Sequence, residues 1–294
     1  MEKKAYLKII AAASLWGCIG IFLKLLNAAG FSSMENVAAR STVAVVLFGL
    51  FLAVTDPAKL KINPKHLYYF FGTGVCAQLF FNWCYFNAIS TSSMSVAAVL
   101  LYTSPVFVIF MSAAFFQENI TPIKIFALLL TFLGCTLVTG LLPLGQQSVS
   151  VTTILYGLGA GFGYGLYSIL SKFALAKYES ATVTFYTLLF TALFALPISG
   201  VYHDLGRFAD WRAIVGMLGL GVLCCILPSF LYTCGLQYAE AGKAAIMATI
   251  EPFVAAVIGI CFFREEVTSF KLLGMAAIFV AILMLNRPAK RAVH

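Results

Sequence analysis

The sequence predicts an all-α integral membrane protein with ten transmembrane helices, arranged as two inverted-topology repeats of five helices. Composition, the spacing of charges and an internal repeat support this prediction. Hydrophobic residues make up 62% of the 294 residues and charged residues only 10%, whereas soluble domains carry about 25% charged residues. The stretches 67–117 and 125–171 contain no Asp, Glu, Lys or Arg. Each is long enough for two membrane crossings of about 20 residues.

Charged residues, clusters of Pro, Gly and Ser, and segment length mark the bounds of the ten helices. The predicted helices lie near 5–26, 34–55, 67–88, 94–116, 122–141, 151–174, 180–200, 212–236, 242–263 and 269–286. The basic residues before the first apolar run also resemble the start of a signal peptide. Because nine apolar segments follow, we expect a retained first helix. No soluble domain fits between the segments, so the function must reside within them.

The distribution of basic residues predicts the orientation in the membrane. Cytoplasmic loops of membrane proteins carry an excess of Lys and Arg. With a cytoplasmic N-terminus, thirteen basic residues fall inside: Lys3, Lys4, Lys8, Lys59, Lys61, Lys65, Lys124, Lys172, Lys177, Lys243, Arg287, Lys290 and Arg291. Five fall outside, namely Lys24, Arg207, Arg212, Arg264 and Lys271, while Arg40 lies within a helix. We therefore expect a multi-pass protein of the cell membrane with both termini in the cytoplasm.

An internal repeat appears when the chain is compared with itself at a shift of 147 residues. Pro105 then matches Pro252, and Glu118 matches Glu265. Other identities at this shift are Gly72, Gly74, Val75, Tyr85, Ala97, Ala98, Phe115, Phe116, Thr121 and Lys124 with their second-half counterparts. At a shift of 148, Gly17 and Lys24 match Gly165 and Lys172.

The number of helices in each repeat decides their relative direction. Five is odd, so the second copy crosses the membrane in the opposite sense to the first. We predict a first repeat at 1–141, a second at 151–286 and a cytoplasmic tail at 287–294. Two near-equivalent inverted halves can exchange conformations around one central site, which is what a transporter requires.

Several motifs carry a resemblance to a known family over essentially the whole chain. They are Leu15-Trp16-Gly17, Ala39-Arg40, Pro105 with the run 115–121, Glu251-Pro252 and the run 262–268. In these motifs the chain resembles the drug/metabolite transporter superfamily, specifically its ten-helix EamA-like members with two EamA domains. The resemblance implies alternating access around a central cavity, and substrates among amino acids, their derivatives, other metabolites and drugs. Arg40 departs from the family pattern because Ser41-Thr42 follows it instead of an aromatic residue.

Glu251 is the acidic residue that the predicted helices place near mid-membrane, directly before Pro252. An ionisable group at that depth is costly unless it is paired or hydrated, which makes it a functional candidate. It could exchange a proton or a cationic substrate, or it could be hydrogen-bonded to neighbouring helices for structure alone. Arg40 lies about two turns into the second helix, either paired for structure or available to an anion.

Aromatic and polar side chains in the predicted helices are candidates for the lining of an apolar cavity. The candidates are Trp16, Asn82, Tyr85, Tyr102, Tyr164, Tyr167, Ser229 and Tyr232, with Trp83, Gln78 and Asn87 as further members. Glu118 and Glu265 end corresponding helices at opposite membrane faces, which suggests charge pairing or gating. We expect the first, third, fourth, sixth, eighth and ninth helices to surround the cavity.

The sequence contains no nucleotide-binding, metalloprotease or serine-hydrolase motif, and the eight cysteines fall inside apolar segments without a metal-ligand spacing. We therefore expect no catalytic residues, cofactor or metal. The charge of +8 is spread singly or in pairs at helix ends, which is not a nucleic-acid surface. The expected partners are the lipid bilayer, a small-molecule substrate and a proton or cation. A channel, a sensor or a lipid-modifying membrane enzyme remain alternatives to a secondary transporter.

Overall fold

The computed structural model describes residues 2–141 and 149–285. The predicted tail at 287–294 and most of the predicted turn at 143–150 lie outside these residues. The described part of the chain is helical, with the bounds α1 Glu2–Gly17, α2 Ile19–Ala28, α3 Ser33–Thr55, α4 Leu67–Phe71, α5 Phe80–Thr91, α6 Met94–Leu101, α7 Ser104–Phe116, α8 Pro122–Val138, α9 Val151–Leu175, α10 Ser180–Ser199, α11 Trp211–Leu218, α12 Leu227–Leu236, α13 Ala241–Ala248, α14 Ile250–Phe263 and α15 Ser269–Leu285. Two π-helical segments, Gly72–Leu79 and Gly219–Ile226, join α4 to α5 and α11 to α12.

These helices form the ten predicted spans. There are more helices than spans because several spans consist of two consecutive helices. The pairs α1–α2, α6–α7 and α13–α14 are each one span with a short interruption, and each π segment lies inside a span. Among the described residues, six continuous stretches are long and apolar enough to cross a membrane: Lys3–Ala28, Ser33–Thr55, Met94–Phe116, Ser180–Ser199, Trp211–Leu236 and Ala241–Phe263. Pro122–Val138 and Ser269–Leu285 are shorter apolar helices.

Local sequence signals account for several helix starts. Ser32 and Glu35 form a capping box at α3, in which the Ser32 N–H donates to Glu35 at 2.7 Å. Ser93, Thr121 and Ser150 each accept a hydrogen bond from the backbone N–H three residues later, at the starts of α6, α8 and α9. Such caps satisfy backbone donors that have no partner inside the helix.

The repeat predicted from the sequence is present in the helix bounds. The first residue of α6 and the last residue of α7 correspond, at a shift of 147, to the first residue of α13 and the last residue of α14. Both ends of α8 correspond to those of α15, and both ends of the first π segment to those of the second, at the same shift. Gln117 and Arg264, also 147 residues apart, are the non-glycine residues with positive φ among those described, at 55° and 54°. A left-handed residue is a common way to end a helix, and both halves use it at the same place.

The two halves have opposite directions. The end of α7 and the start of α13 lie together, because Glu118 accepts hydrogen bonds from the backbone N–H groups of Ala241 and Gly242. The start of α13 corresponds to the start of α6, which is the far end of the α6–α7 span. Equivalent turns therefore lie at opposite ends of the molecule, as the odd helix count predicted.

Glycines allow the close packing of α9 against the first half. A Cβ atom at Gly157 would collide with Leu100, and one at Gly161 would lie 2.6 Å from Oγ1 of Thr103. On the other side of α9, a Cβ at Gly163 would lie 3.0 Å from the Phe80 ring. These two glycine faces place α9 between α5 and the α6–α7 interruption, where its tyrosines reach the centre of the molecule.

Candidate functional site

A cavity of about 920 Å³ lies at the centre of the helices. Glu251 lines the cavity, and so do seven of the other eight candidate cavity residues; the exception is Tyr232. The lining members are Trp16, Asn82, Tyr85, Tyr102, Tyr164, Tyr167 and Ser229. Arg40 and Glu265, the candidates for charge pairing or gating, line it as well. The six spans expected around the cavity all contribute. Three further helices also contribute: α3 through Asn36, Val37 and Arg40, α8 through Leu137 and Val138, and α15 through Lys271. Sequence reasoning did not include these three helices.

Glu251 lies in the first turn of α14, immediately after the interruption at Thr249. Its carboxylate accepts a hydrogen bond from the hydroxyl of Tyr164 at 3.3 Å. Helix α1 approaches closely here, since a Cβ at Gly17 would lie 2.8 Å from the Glu251 carbonyl oxygen. The helix interruption and the glycine together hold the carboxylate at the wall of the cavity.

Arg40 provides the opposite charge in the same cavity. Its Nη2 donates to Oδ1 of Asn82 at 3.0 Å, and Asn82 donates in turn to the Gln78 carbonyl at 2.7 Å. The Nε atom of Arg40 is buried without a hydrogen-bond partner among the described residues. Within residues 2–141 and 149–285, neither Arg40 nor Glu251 forms an ion pair.

Aromatic rings form one wall of the cavity and a second layer behind it. The Trp16 ring lies 6.1 Å from that of Tyr164 and 5.4 Å from that of Tyr232. Tyr232 belongs to the second layer, where its hydroxyl lies 2.7 Å from Oγ of Ser168. The interpretation of Trp83 as a cavity residue is wrong, because 45% of it is exposed on the outer surface and its ring packs on Tyr156.

One end of the cavity is closed by ion pairs, and we call it the Glu118 end. The Glu118 carboxylate accepts from Nζ of Lys172 at 2.7 Å and from the Ala241 and Gly242 N–H groups at 2.7 and 3.1 Å. These contacts connect the end of α7 to α9 and α13, and Glu118 is not part of the cavity lining.

A second carboxylate strengthens the same end. Glu240 binds Nζ of Lys124 at 2.6 Å and Nζ of Lys243 at 3.1 Å. The Lys124 side chain is 3% exposed, and its Nζ also donates to the Asn119 carbonyl at 2.7 Å. The Glu118 end is therefore closed by two groups of paired charges.

The opposite end, which we call the Glu265 end, is open. The cavity lining continues there to Met94, Glu265, Glu266 and Lys271, and 63% of Met94 is exposed. Glu265 pairs with Lys271 at 3.0 Å, and half of its side chain is exposed.

The carboxylates that close the Glu118 end have lowered pKa values. Burial alone would raise the pKa of Glu118, but hydrogen bonds from Lys172 and from the Gly242 and Ala241 N–H groups outweigh it and hold the pKa below its ordinary value. At Glu240 burial also raises the pKa, and the hydrogen bonds from Lys124 and Lys243 lower it further than burial raises it. Both groups are charged at neutral pH.

Comparison with known proteins decides the family. The model of the EamA-like transporter family matches residues 3–140 and again 151–287. The chain belongs to the EamA-like transporter family. An uncharacterised transporter of Archaeoglobus fulgidus is 32% identical over 200 residues, covering 68% of this chain and 70% of that protein. The threonine/homoserine exporter RhtA of Escherichia coli K12 is 29% identical over 202 residues, covering 68% of this chain and 65% of RhtA.

A solved structure supports the same fold for this EamA-like transporter. A protein crystal structure superposes with a TM-score of 0.82 over 97% of this chain and 96% of the other, at 14% identity. The family assignment makes the chain a multi-pass membrane transporter and not an enzyme. The resemblance stated from the sequence motifs is thereby confirmed.

Proposed function

We propose that this EamA-like transporter is a secondary transporter that moves an amino acid, an amino-acid derivative or a similar amphipathic solute by alternating access. The observation that carries the proposal is the cavity itself. It is open at the Glu265 end, closed at the Glu118 end, and contains two ionisable side chains, Arg40 and Glu251, that form no ion pair with any described residue.

The two charges indicate the chemical nature of the solute. A charged side chain at membrane depth is costly unless it is paired. Arg40 has a neutral amide as its partner and Glu251 a phenol. A zwitterion satisfies both, with its carboxylate at Arg40 and its ammonium group at Glu251. The name of RhtA, a threonine/homoserine exporter, supports a substrate of this class.

The remaining candidates are assigned by their position in the cavity. Trp16, Tyr85, Tyr102, Tyr164 and Tyr167 would contact the apolar part of the solute, and Asn82 and Ser229 would supply hydrogen bonds. Tyr232 supports Trp16 from behind. Between solutes, Glu251 can take up a proton or a cation, and this exchange would couple transport to an ion gradient.

The orientation proposed from the basic residues assigns the two ends to the two sides of the membrane. With both termini in the cytoplasm, the Glu118 end faces the cytoplasm and the Glu265 end faces outward. Cysteines introduced at 203–211 should then react with an impermeant reagent in intact cells. Reaction only after lysis would reverse the orientation.

Flux into liposomes tests the function. We expect protein-dependent movement of an α-amino acid such as threonine or homoserine, and little movement of its N-acetyl or carboxamide derivative. The Glu251→Gln variant should fold but transport at least tenfold more slowly, a loss of about 1.4 kcal/mol in transition-state stabilisation. Glu179→Gln, which changes an exposed carboxylate on the surface, is the matched control.

Three results would contradict parts of this proposal. Unchanged flux and pH dependence in Glu251→Gln would make Glu251 a structural residue. Ligand binding without flux would favour a sensor. Ionic current without saturation would favour a channel.

A further inference from the structure

The Glu118 end and the Glu265 end are built from residues that correspond in the repeat, yet only the Glu118 end is closed. Glu118 corresponds to Glu265, and Ala241 and Gly242 correspond to Met94 and Ser95, all at a shift of 147. Lys172 corresponds to Lys24 at the shift of 148 that applies to that span. Each group that contacts the Glu118 carboxylate therefore has a counterpart at the other end.

At the Glu265 end the carboxylate is folded back onto its own helix. A Cβ at Gly259 would lie 2.5 Å from Oε2 of Glu265, and the carboxylate pairs with Lys271 in the next helix. Glu118, by contrast, reaches across to α9 and α13. Glu118 thus contacts helices of the other repeat, whereas Glu265 lies against the helix that it follows.

The groups that would receive Glu265 have no carboxylate partner in the described part of the chain. Lys24 places its Nζ 3.2 Å from the centre of the Phe263 ring, two residues before Glu265. In the closed end, Lys172 lies in the same way over Phe116, at 5.1 Å. Met94 and Ser95 line the open mouth of the cavity together with Glu265.

The start of α6 lacks the carboxylate partner that the start of α13 has. Ser93 caps α6 through the Val96 N–H. Among the described residues, no side chain accepts a hydrogen bond from the Met94 or Ser95 N–H groups, whereas their counterparts Ala241 and Gly242 donate to Glu118. Free N–H groups at a helix start attract an anion.

We propose that Glu265 closes the outer end in the opposite transport state, by leaving Lys271, binding Lys24 and accepting hydrogen bonds from the Met94 and Ser95 N–H groups. Glu118 makes the reverse change, leaving Lys172 and the start of α13 and pairing with Lys124. This inference rests on the proposed alternating access. It identifies a pair, Glu265 with Lys24, that the present conformation does not contain.

Charge reversal distinguishes the proposed pair from the pair that is present. Glu265→Lys should lower threonine or homoserine flux at least tenfold. Adding Lys24→Glu should restore at least half of the flux. Adding Lys271→Glu should restore thermal stability but not flux. Recovery of flux with Lys271→Glu and not with Lys24→Glu would overturn the proposal.

Cross-linking tests the same contact without a known substrate. In protein whose native cysteines are replaced, Lys24→Cys with Glu265→Cys should form a disulfide on oxidation, as should Lys172→Cys with Glu118→Cys. Lys24→Cys with Glu266→Cys is the matched control and should cross-link at least fivefold less. A Glu118 pair that cross-links beside a Glu265 pair that does not would refute the closure.

Cross-linking also separates this inference from the proposed function. If both pairs form a disulfide but no solute moves, the two ends exchange contacts and the assignment as an amino-acid transporter fails. If solutes move but the Lys24 pair neither cross-links nor supports charge-reversal rescue, transport stands and the outer closure is wrong.

Discussion

Glu118 and Glu265 occupy the same position in the two repeats, but the two side chains differ in burial. The Glu118 side chain is 8% exposed, with charged and backbone donors around it, while that of Glu265 is 50% exposed with Lys271 as its ion-pair partner. For a carboxylate in contact with water, exchanging one ion-pair partner for another changes the free energy little. A buried carboxylate depends on its partners, because the alternative is an unpaired charge.

A second difference is the carboxylate of Glu240, which corresponds to Ser93 in the first half. Glu240 adds ion pairs with Lys124 and Lys243 to the Glu118 end, whereas Ser93 offers a hydroxyl. The repeats are therefore not energetically equal. The closed Glu118 end has more charge pairing than the Glu265 end could obtain, and we expect the form that is open at the Glu265 end to dominate without solute.

The largest difference in stability should appear between two variants that each lose one carboxylate, one variant for each end. Glu118→Gln leaves Lys172 without its counter-ion and should cost about 3 kcal/mol of stability, as for other buried pairs that lose one partner. Glu265→Gln should cost less than about 1 kcal/mol. Thermal unfolding of the two purified variants gives the comparison, and equal losses would show that burial does not separate the two ends.

Acid should act on the Glu118 end at a pH below the ordinary carboxyl range. Because the folded pKa values of Glu118 and Glu240 are lowered, their contribution to closure is complete at neutral pH and is lost as the pH falls through those lowered values. The difference in thermal stability between the unaltered protein and Glu118→Gln should therefore stay constant from pH 7 to 5 and shrink only at pH values below the ordinary carboxyl range. A difference that already shrinks between pH 7 and 5 would contradict this assignment of charge states.

The smallest effect concerns Gly259, which corresponds to Ser112 in the first half. Gly259→Ser places a Cβ against the folded-back Glu265 carboxylate, so the flexible side chain must move away. We expect a shift of about twofold toward the closed Glu265 end, a fraction of a kcal/mol. Slower labelling of a cysteine introduced at Ser95 would report it.

The fold was predictable because hydropathy and charge spacing repeat on the scale of a whole membrane span. The predicted bounds 94–116 agree with the observed span of α6 and α7, and 180–200 with α10 to within one residue. The interruptions at Cys18, between Leu101 and Ser104, and at Thr249 were not predicted. One or two residues outside a helix leave the mean hydropathy of a span unchanged, so the hydropathy pattern contains no signal for them.

The candidate site was predictable in residue type but not in pairing. Glu251 and Arg40 stood out as charges within apolar segments. The partner of Glu118 is Lys172, 54 residues away, and such a contact depends on how the spans pack. The shift of 148 that aligns Lys24 with Lys172 was a usable signal, since it placed a lysine near each of the two glutamates.

The burial of Lys124 has a consequence for ionic strength. Mobile ions screen charges that are in contact with solvent, and at physiological salt they act over about 8 Å. With 3% of its side chain exposed and Glu240 at 2.6 Å, Lys124 is largely beyond their reach, while the half-exposed Glu265 is not. Salt thus weakens the charge contacts of one membrane face and spares those of the other. Raising the salt concentration would therefore weaken the ion pair at one end of this internally repeated molecule and leave those at the other end intact.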